Sequence, residues 1–186
     1  VEYPLARRFR FLQDEQINER ADRIWPSSKL LTSEEKTKRI NAYGKLIGKG
    51  EQNIKKGRTL FLSNCGSCHQ LNGEGGVSGP GLTGYDRSKP DYLLLHIVDP
   101  NADIREGYEV QRIVTTDGRI LEGRLKSQSG GTITIEPPLG GKSTVLSQER
   151  IAAMEVQQTT YMPERILEPL SDEEVSDLFA YLMQVK

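Results

Sequence analysis

Both cysteines and one of the two histidines of this 186-residue chain stand together in Cys65-Gly66-Ser67-Cys68-His69. Two thiols three positions apart, followed at once by an imidazole, form the C-x-x-C-H pattern of covalent haem attachment. With so few Cys and His in the chain, the pattern arises by chance roughly once in 10,000. The order follows from the chemistry. Each thiol adds to one haem vinyl group to give a thioether, and the spacing puts both sulfurs on one side of a helical turn. His69 then projects its imidazole to the iron as proximal ligand. One haem c, attached through Cys65 and Cys68, is the expected cofactor. A thioredoxin-like pair would instead open a helix in a βαβ setting, but Gly73, Gly75, Gly76, Gly79 and Gly81 follow here. A structural zinc site needs four ligands, and Cys65, Cys68, His69 and the distant His96 could supply them only by abandoning the haem.

A six-coordinate iron takes its second axial ligand from the remaining Met or His. Met162 is the first candidate, because Met162-Pro163 lies in the irregular stretch Gln157–Pro169, where a loop can fold over a haem face. Pro163 stiffens that turn. Met154 falls in a strand pattern and Met183 on an apolar helix stripe, so both read as core, and His96 reads as a partly exposed helix residue. An open distal site, or ligation by His96 or another methionine, stands as the alternative.

Helices must carry most of this machinery. Gln13–Ile24 reads as a charged helix stopping before Trp25-Pro26, and Thr32-Ser33-Glu34-Glu35 as a capping box opening a helix to about Leu46. Residues 1–50 thus form a helical extension. Gln52–Ser63 is a helix that delivers Cys65, and Lys89-Pro90 starts a short one over Asp91–Val98. From Tyr108 the period changes to that of strands: Glu109–Thr116 and Arg119–Lys126 joined by a two-residue Asp117-Gly118 type I′ turn, then Thr132–Glu136, Ser143–Leu146 and a possible fifth, Ile151–Val156. Ser/Gly and Pro-Pro-x-Gly-Gly turns separate the later ones. Residues 108–157 read as a small antiparallel barrel or curled sheet inserted into a domain spanning 51–186. The chain closes with a second capping box, Ser171-Asp172-Glu173-Glu174, and an apolar stripe of Val175, Leu178, Phe179, Leu182 and Met183. His69 and Met162 lie 93 residues apart (162 − 69), and the β insertion accounts for about half of that separation. The fold class is mainly α, α+β overall.

Composition sets the outer limits. Apolar residues are only 35% and charged residues 27%, too few apolar for a large self-sufficient core. A buried haem plate would compensate. No run of about 18 apolar residues exists to span a membrane. The net charge of −1 offers no nucleic-acid footprint. Charge is uneven, +4 over residues 1–50 and −5 over 151–186, which fits solvated faces or mutually attracting ends, and alternatively a docking face. The chain opens on Val1 with no targeting segment, which reads as a processed chain or a fragment of something longer.

Taken together, Cys65–His69, Gly79-Pro80-x-Leu82, Met162-Pro163 and the amphipathic last helix resemble class I cytochromes c. More narrowly, Gly73–Pro80, Asp91–Ala102, Thr115–Leu125, Met162-Pro163 and Leu170–Leu182 resemble the planctomycete/verrucomicrobial-type haem-binding domain over about residues 55–186. The resemblance implies a cytochrome c fold interrupted by a β module, often at the C-terminus of much longer exported proteins with propeller-type dehydrogenase or helical-repeat regions. It implies that the Pro80 carbonyl holds the proximal imidazole, that Leu82 packs on the haem edge, and that Tyr161 hydrogen-bonds near the distal Met or a propionate. Gly81 departs from the usual Asp or Asn, and Thr160-Tyr161 from the usual Ser-Leu.

The expected function is one-electron transfer by a periplasmic or otherwise extracytoplasmic monohaem cytochrome, with a redox protein or fused dehydrogenase as partner and no catalysis of its own. The alternatives are a haem-based gas sensor or enzyme with an open distal site, and a docking module in which haem is structural.

Overall fold

The computed structural model describes residues 14–24, 30–137 and 142–184. Gln13, Trp25-Pro26 and most of the Pro-Pro-x-Gly-Gly turn lie outside them. The chain divides into two compact units, Val1–Ser33 and Glu34–Lys186. The first contains helix α1 (Glu15–Ile24), whose start is capped by Asp14, with Oδ1 accepting from the Ile17 amide at 3.0 Å. Among the described residues no helix is long and apolar enough to cross a membrane.

In the second unit, α2 (Ser33–Gly44) gives way to the left-handed Gly48 and Gly50. Helix α3 (Ile54–Asn64) follows, capped by the Asn53 side chain on the Lys56 amide. Then come the short strands β1 (Gln70–Leu71) and β2 (Glu74–Gly75), and α4 (Pro90–Val98) with its proline in the first turn. The capping box read at Ser171 forms in full at the start of α5 (Asp172–Leu182). Helices α3 and α5 cross where α3 carries Gly57, and a Cβ there would stand 2.0 Å from the Asp177 carbonyl oxygen. That approach lets Phe61 meet Tyr181, with ring centroids 5.6 Å apart. It also lets the buried Asp177 carboxylate accept the Asn53 amide at 2.7 Å. Phe61, Leu71, Leu94, Leu167, Leu178 and Phe179 form the centre of this core, against which Ile40, Tyr43, Leu46 and Ile47 also pack.

The β insertion has its own core. Strands β3 (Val110–Thr115), β4 (Ile120–Ser129), β5 (Thr132–Glu136), β6 (Thr144–Ser147) and β7 (Ile151–Gln157) form one antiparallel sheet in the order β6-β5-β4-β3-β7. Ile113, Ile133, Ile135 and Leu146 fill it. In a flat sheet of five strands the edges would lie about 19 Å apart. The Gln148–Arg150 turn joins β6 to β7 through four Cα steps, which reach about 14 Å at most. The sheet therefore curls.

Two turns differ from expectation. The β3–β4 connection is not a two-residue type I′ turn: Gly118 has φ +82° but Asp117 is not left-handed, and Thr115 and Arg119 close a three-residue loop. A type I′ turn needs positive φ at both central residues, which Gly130-Gly131 supplies between β4 and β5 (φ +58° and +74°). The β1–β2 hairpin, turning on Asn72 and Gly73, has no counterpart among the expected elements.

Candidate haem-binding site

The cysteine motif sits where α3 ends. The Cys65 amide bonds to the Phe61 carbonyl as the last helical bond, and the Cys68 and His69 amides both donate to the Cys65 carbonyl, at 3.1 and 2.9 Å. The pair thus closes a helix rather than opening one, unlike a thioredoxin-like site. The glycine-rich loop then lies along the motif. Gly76, Gly79 and Leu82 donate their amides to the carbonyls of Gly66, Cys68 and Gln70, each at 2.8 Å. Gly79 passes so close to the imidazole that a Cβ there would stand 2.9 Å from His69 Cε1.

His69 Nδ1 donates to the Pro80 carbonyl oxygen at 2.8 Å. This fixes the tautomer and leaves Nε2, with its lone pair, as the nitrogen able to bind a metal. Burial holds the imidazole below its ordinary pKa, and the Pro80 bond only partly opposes this. The ring is therefore neutral at pH 7, as a metal ligand must be. Cys65 and Cys68 form no disulfide and are partly buried, and burial would push an unmodified Cys65 thiol up to about 12. A thioether, which has no proton to lose, suits that position better than a reactive thiolate.

Leu82 is half-buried and joins the helical core at its margin. Tyr161 and Met162 are half-buried in the loop between β7 and α5. That loop is tied down through the Thr160 amide, which donates to Asn101 Oδ1 at 2.9 Å, and the Thr159 carbonyl, which accepts the Val110 amide. The other candidates are occupied elsewhere. His96 Nδ1 bonds the Tyr92 carbonyl and its Nε2 faces Asp103 at 3.5 Å. Met154 lies on β7 but is 36% exposed rather than in a core as its strand pattern suggested, whereas Met183 caps α5 against the core. Among the described residues no group of three or more His, Cys, Asp or Glu could hold a metal, so the zinc set is not assembled.

An open cleft of about 650 Å³ borders the Pro80–Leu82 stretch, lined by Gly81, Gly84, Tyr85, Arg105 and Tyr108. Arg105 lies over the Tyr85 ring, 5.4 Å from its centroid, and donates to its hydroxyl. Arg124 stacks on Tyr108 at 4.7 Å. Sequence reasoning missed this lining, because Tyr85 and Arg105 are 20 residues apart in loops without periodicity.

Residues 54–117 match the family model described as Cytochrome c. This stretch is cytochrome c-like. A 47-residue segment is also 43% identical to photosystem II extrinsic protein V of Cyanidium caldarium, a segment making up 25% of this chain and 29% of that protein. A c-type haem-binding domain of the class I kind is thereby supported, and it implies covalently bound haem c with Cys65 and Cys68 as the attachment residues. The coarse function that goes with a cytochrome c domain is that of a haem-based electron carrier.

Proposed function

We propose that the chain is a monohaem electron carrier whose iron is held by His69 and Met162. The observation that carries this reading is the 2.8 Å bond from His69 Nδ1 to the Pro80 carbonyl directly after the cysteine pair. It orients a neutral imidazole and raises its basicity. Bound haem supplies the one-electron iron couple, and methionine ligation raises its potential. Pro80 holds the His69 ring, and Leu82 would supply apolar contact to the haem while Tyr161 would offer it a hydroxyl. Arg105, Tyr85 and Tyr108 offer the cation and phenols that two propionate carboxylates require. The resemblance over residues 55–186 supports the planctomycete/verrucomicrobial-type domain as the finer family. With it come a docked or fused dehydrogenase as electron donor and a periplasmic or other extracytoplasmic location.

The test is an absorption spectrum of the holoprotein, oxidised and reduced, before and after carbon monoxide. A low-spin ferrous spectrum unmoved by the gas, with a weak far-red sulfur-to-iron band when oxidised that vanishes in Met162→Ala, is the expected result. A high-spin spectrum that shifts at once with carbon monoxide would replace the carrier by a sensor or an enzyme with an open distal site.

A further inference from the structure

Met162 sits on an arm that is anchored on both sides. Upstream, the Thr160 amide donates to Asn101 Oδ1 at 2.9 Å. Downstream, Glu164 is 5% exposed and pairs with Lys36 Nζ at 2.8 Å. The same ammonium bonds Asp99 Oδ1 at 2.7 Å. Asp99 and Asn101 flank Pro100 in the turn that ends α4, so both anchors come down on one turn. Beyond Glu164, Arg165 takes φ +62°, a left-handed conformation that strains a non-glycine residue. Such strain persists only where the surroundings over-determine the backbone, and Glu168 does so by pairing with Arg39 of α2 at 2.8 Å and with Arg165 at 3.6 Å.

A thioether is a neutral, weak ligand, and any freedom of its arm lowers the fraction of molecules in which it is bound. We propose that Lys36 and Asn101 are positioning residues for Met162, clamping its arm onto the Asp99–Asn101 turn. Lys36 suits this because a single compact ammonium on a long stem bridges two carboxylates that would otherwise repel each other. Lys36 belongs to α2, outside the cytochrome c-like stretch 54–117, so the helix preceding that stretch is coupled to the sixth ligand. The inference rests on Met162 as that ligand.

The experiment compares full-length holoprotein variants by the oxidised far-red band, carbon monoxide binding when reduced, and thermal midpoint. Lys36→Met and Asn101→Ala should each lose half or more of the band at neutral pH and bind carbon monoxide about tenfold more readily. Lys36→Arg, which keeps the charge but not the compact ammonium, should restore both only in part. Lys56→Met breaks the bridges to Glu173 and Asp177 that join α3 to α5. It should lower the midpoint and leave the band untouched. A full band in Lys36→Met and Asn101→Ala, with the band lost in Met162→Ala, would overturn the clamp and keep the ligand. A band untouched by Met162→Ala would overturn the ligand itself. Equal band loss in Lys56→Met would reduce the effect to general destabilisation and so overturn the positioning role. Should Lys36→Met not fold, Asn101→Ala decides, since it removes one side-chain acceptor and leaves the helical core intact.

Discussion

The His69 ring is held by a bond on one edge and by close backbone on another, so its orientation depends on a residue that contributes no side chain. In Gly79→Ala the added methyl would start 2.9 Å from Cε1 and 3.1 Å from Nδ1 of His69. The ring must tilt and its bond to Pro80 must lengthen. Overpacking of this kind costs about 1–3 kcal/mol. With His69 as the proposed iron ligand, a weaker bond would also make the imidazole a poorer donor to ferric iron. Denaturation of the holoprotein and a redox titration should show lower stability and a higher potential, and an unchanged potential would mean that ring orientation does not depend on this approach. The cysteine motif was legible because its chemistry is local, five consecutive residues with fixed roles. The lining of the cleft was not, because Tyr85 and Arg105 meet only after the chain has turned between them.

At the scale of elements, the α3–α5 crossing is the tightest joint of the helical part. Gly57→Leu would drive a side chain into the Asp177 carbonyl, 2.0 Å from where its Cβ must stand. A loss of about 3 kcal/mol or more is expected in chemical denaturation, and a loss under about 1 kcal/mol would mean that the helices separate without cost. The β3–β4 loop carries a pH signature. The Asp117 carboxyl is lowered to about 2, first by the Thr115 hydroxyl and then by Arg119. A group whose folded pKa is depressed adds stability above its unfolded value and loses it as pH falls through the folded one. Stability of the native chain should therefore fall more steeply than that of Asp117→Asn between pH 4 and 2, read as thermal midpoints, and parallel curves would count against it. Most of the element order was readable from periodicity and caps: α4, β5 and the Ser171 box formed where their residues indicated. The Asp-Gly dipeptide misled because a turn type is set by two backbone angles, and aspartate here keeps a negative φ while the neighbouring threonine enlarges the loop.

For the whole molecule, the strands Val110–Gln157 make up about half of the long separation of His69 and Met162. Val110 and Gln157 are partners in adjacent strands, and the Val110 amide bonds the Thr159 carbonyl at 3.0 Å. The chain leaves the helical part and returns to it at nearly one point, and the sheet keeps a separate core. Replacing Gln111–Val156 by a turn of about three residues should leave haem attachment and the low-spin spectrum intact. Loss of covalent haem in that variant would show that the sheet completes the site. The opposed charges of the two ends are used within the fold, since Lys36 meets Glu164 and Arg39 meets Glu168. Taken by itself, the sequence determined the attachment chemistry, the helix that delivers it and the presence of a strand-rich insertion, because each is encoded in residues close together along the chain. Tertiary structure alone decided that Gly57 and Asp177 would touch, and that Lys36, Asp99 and Glu164 would meet two residues from Met162. Those contacts join residues tens of positions apart, and no local pattern specifies them because packing geometry selects the partners.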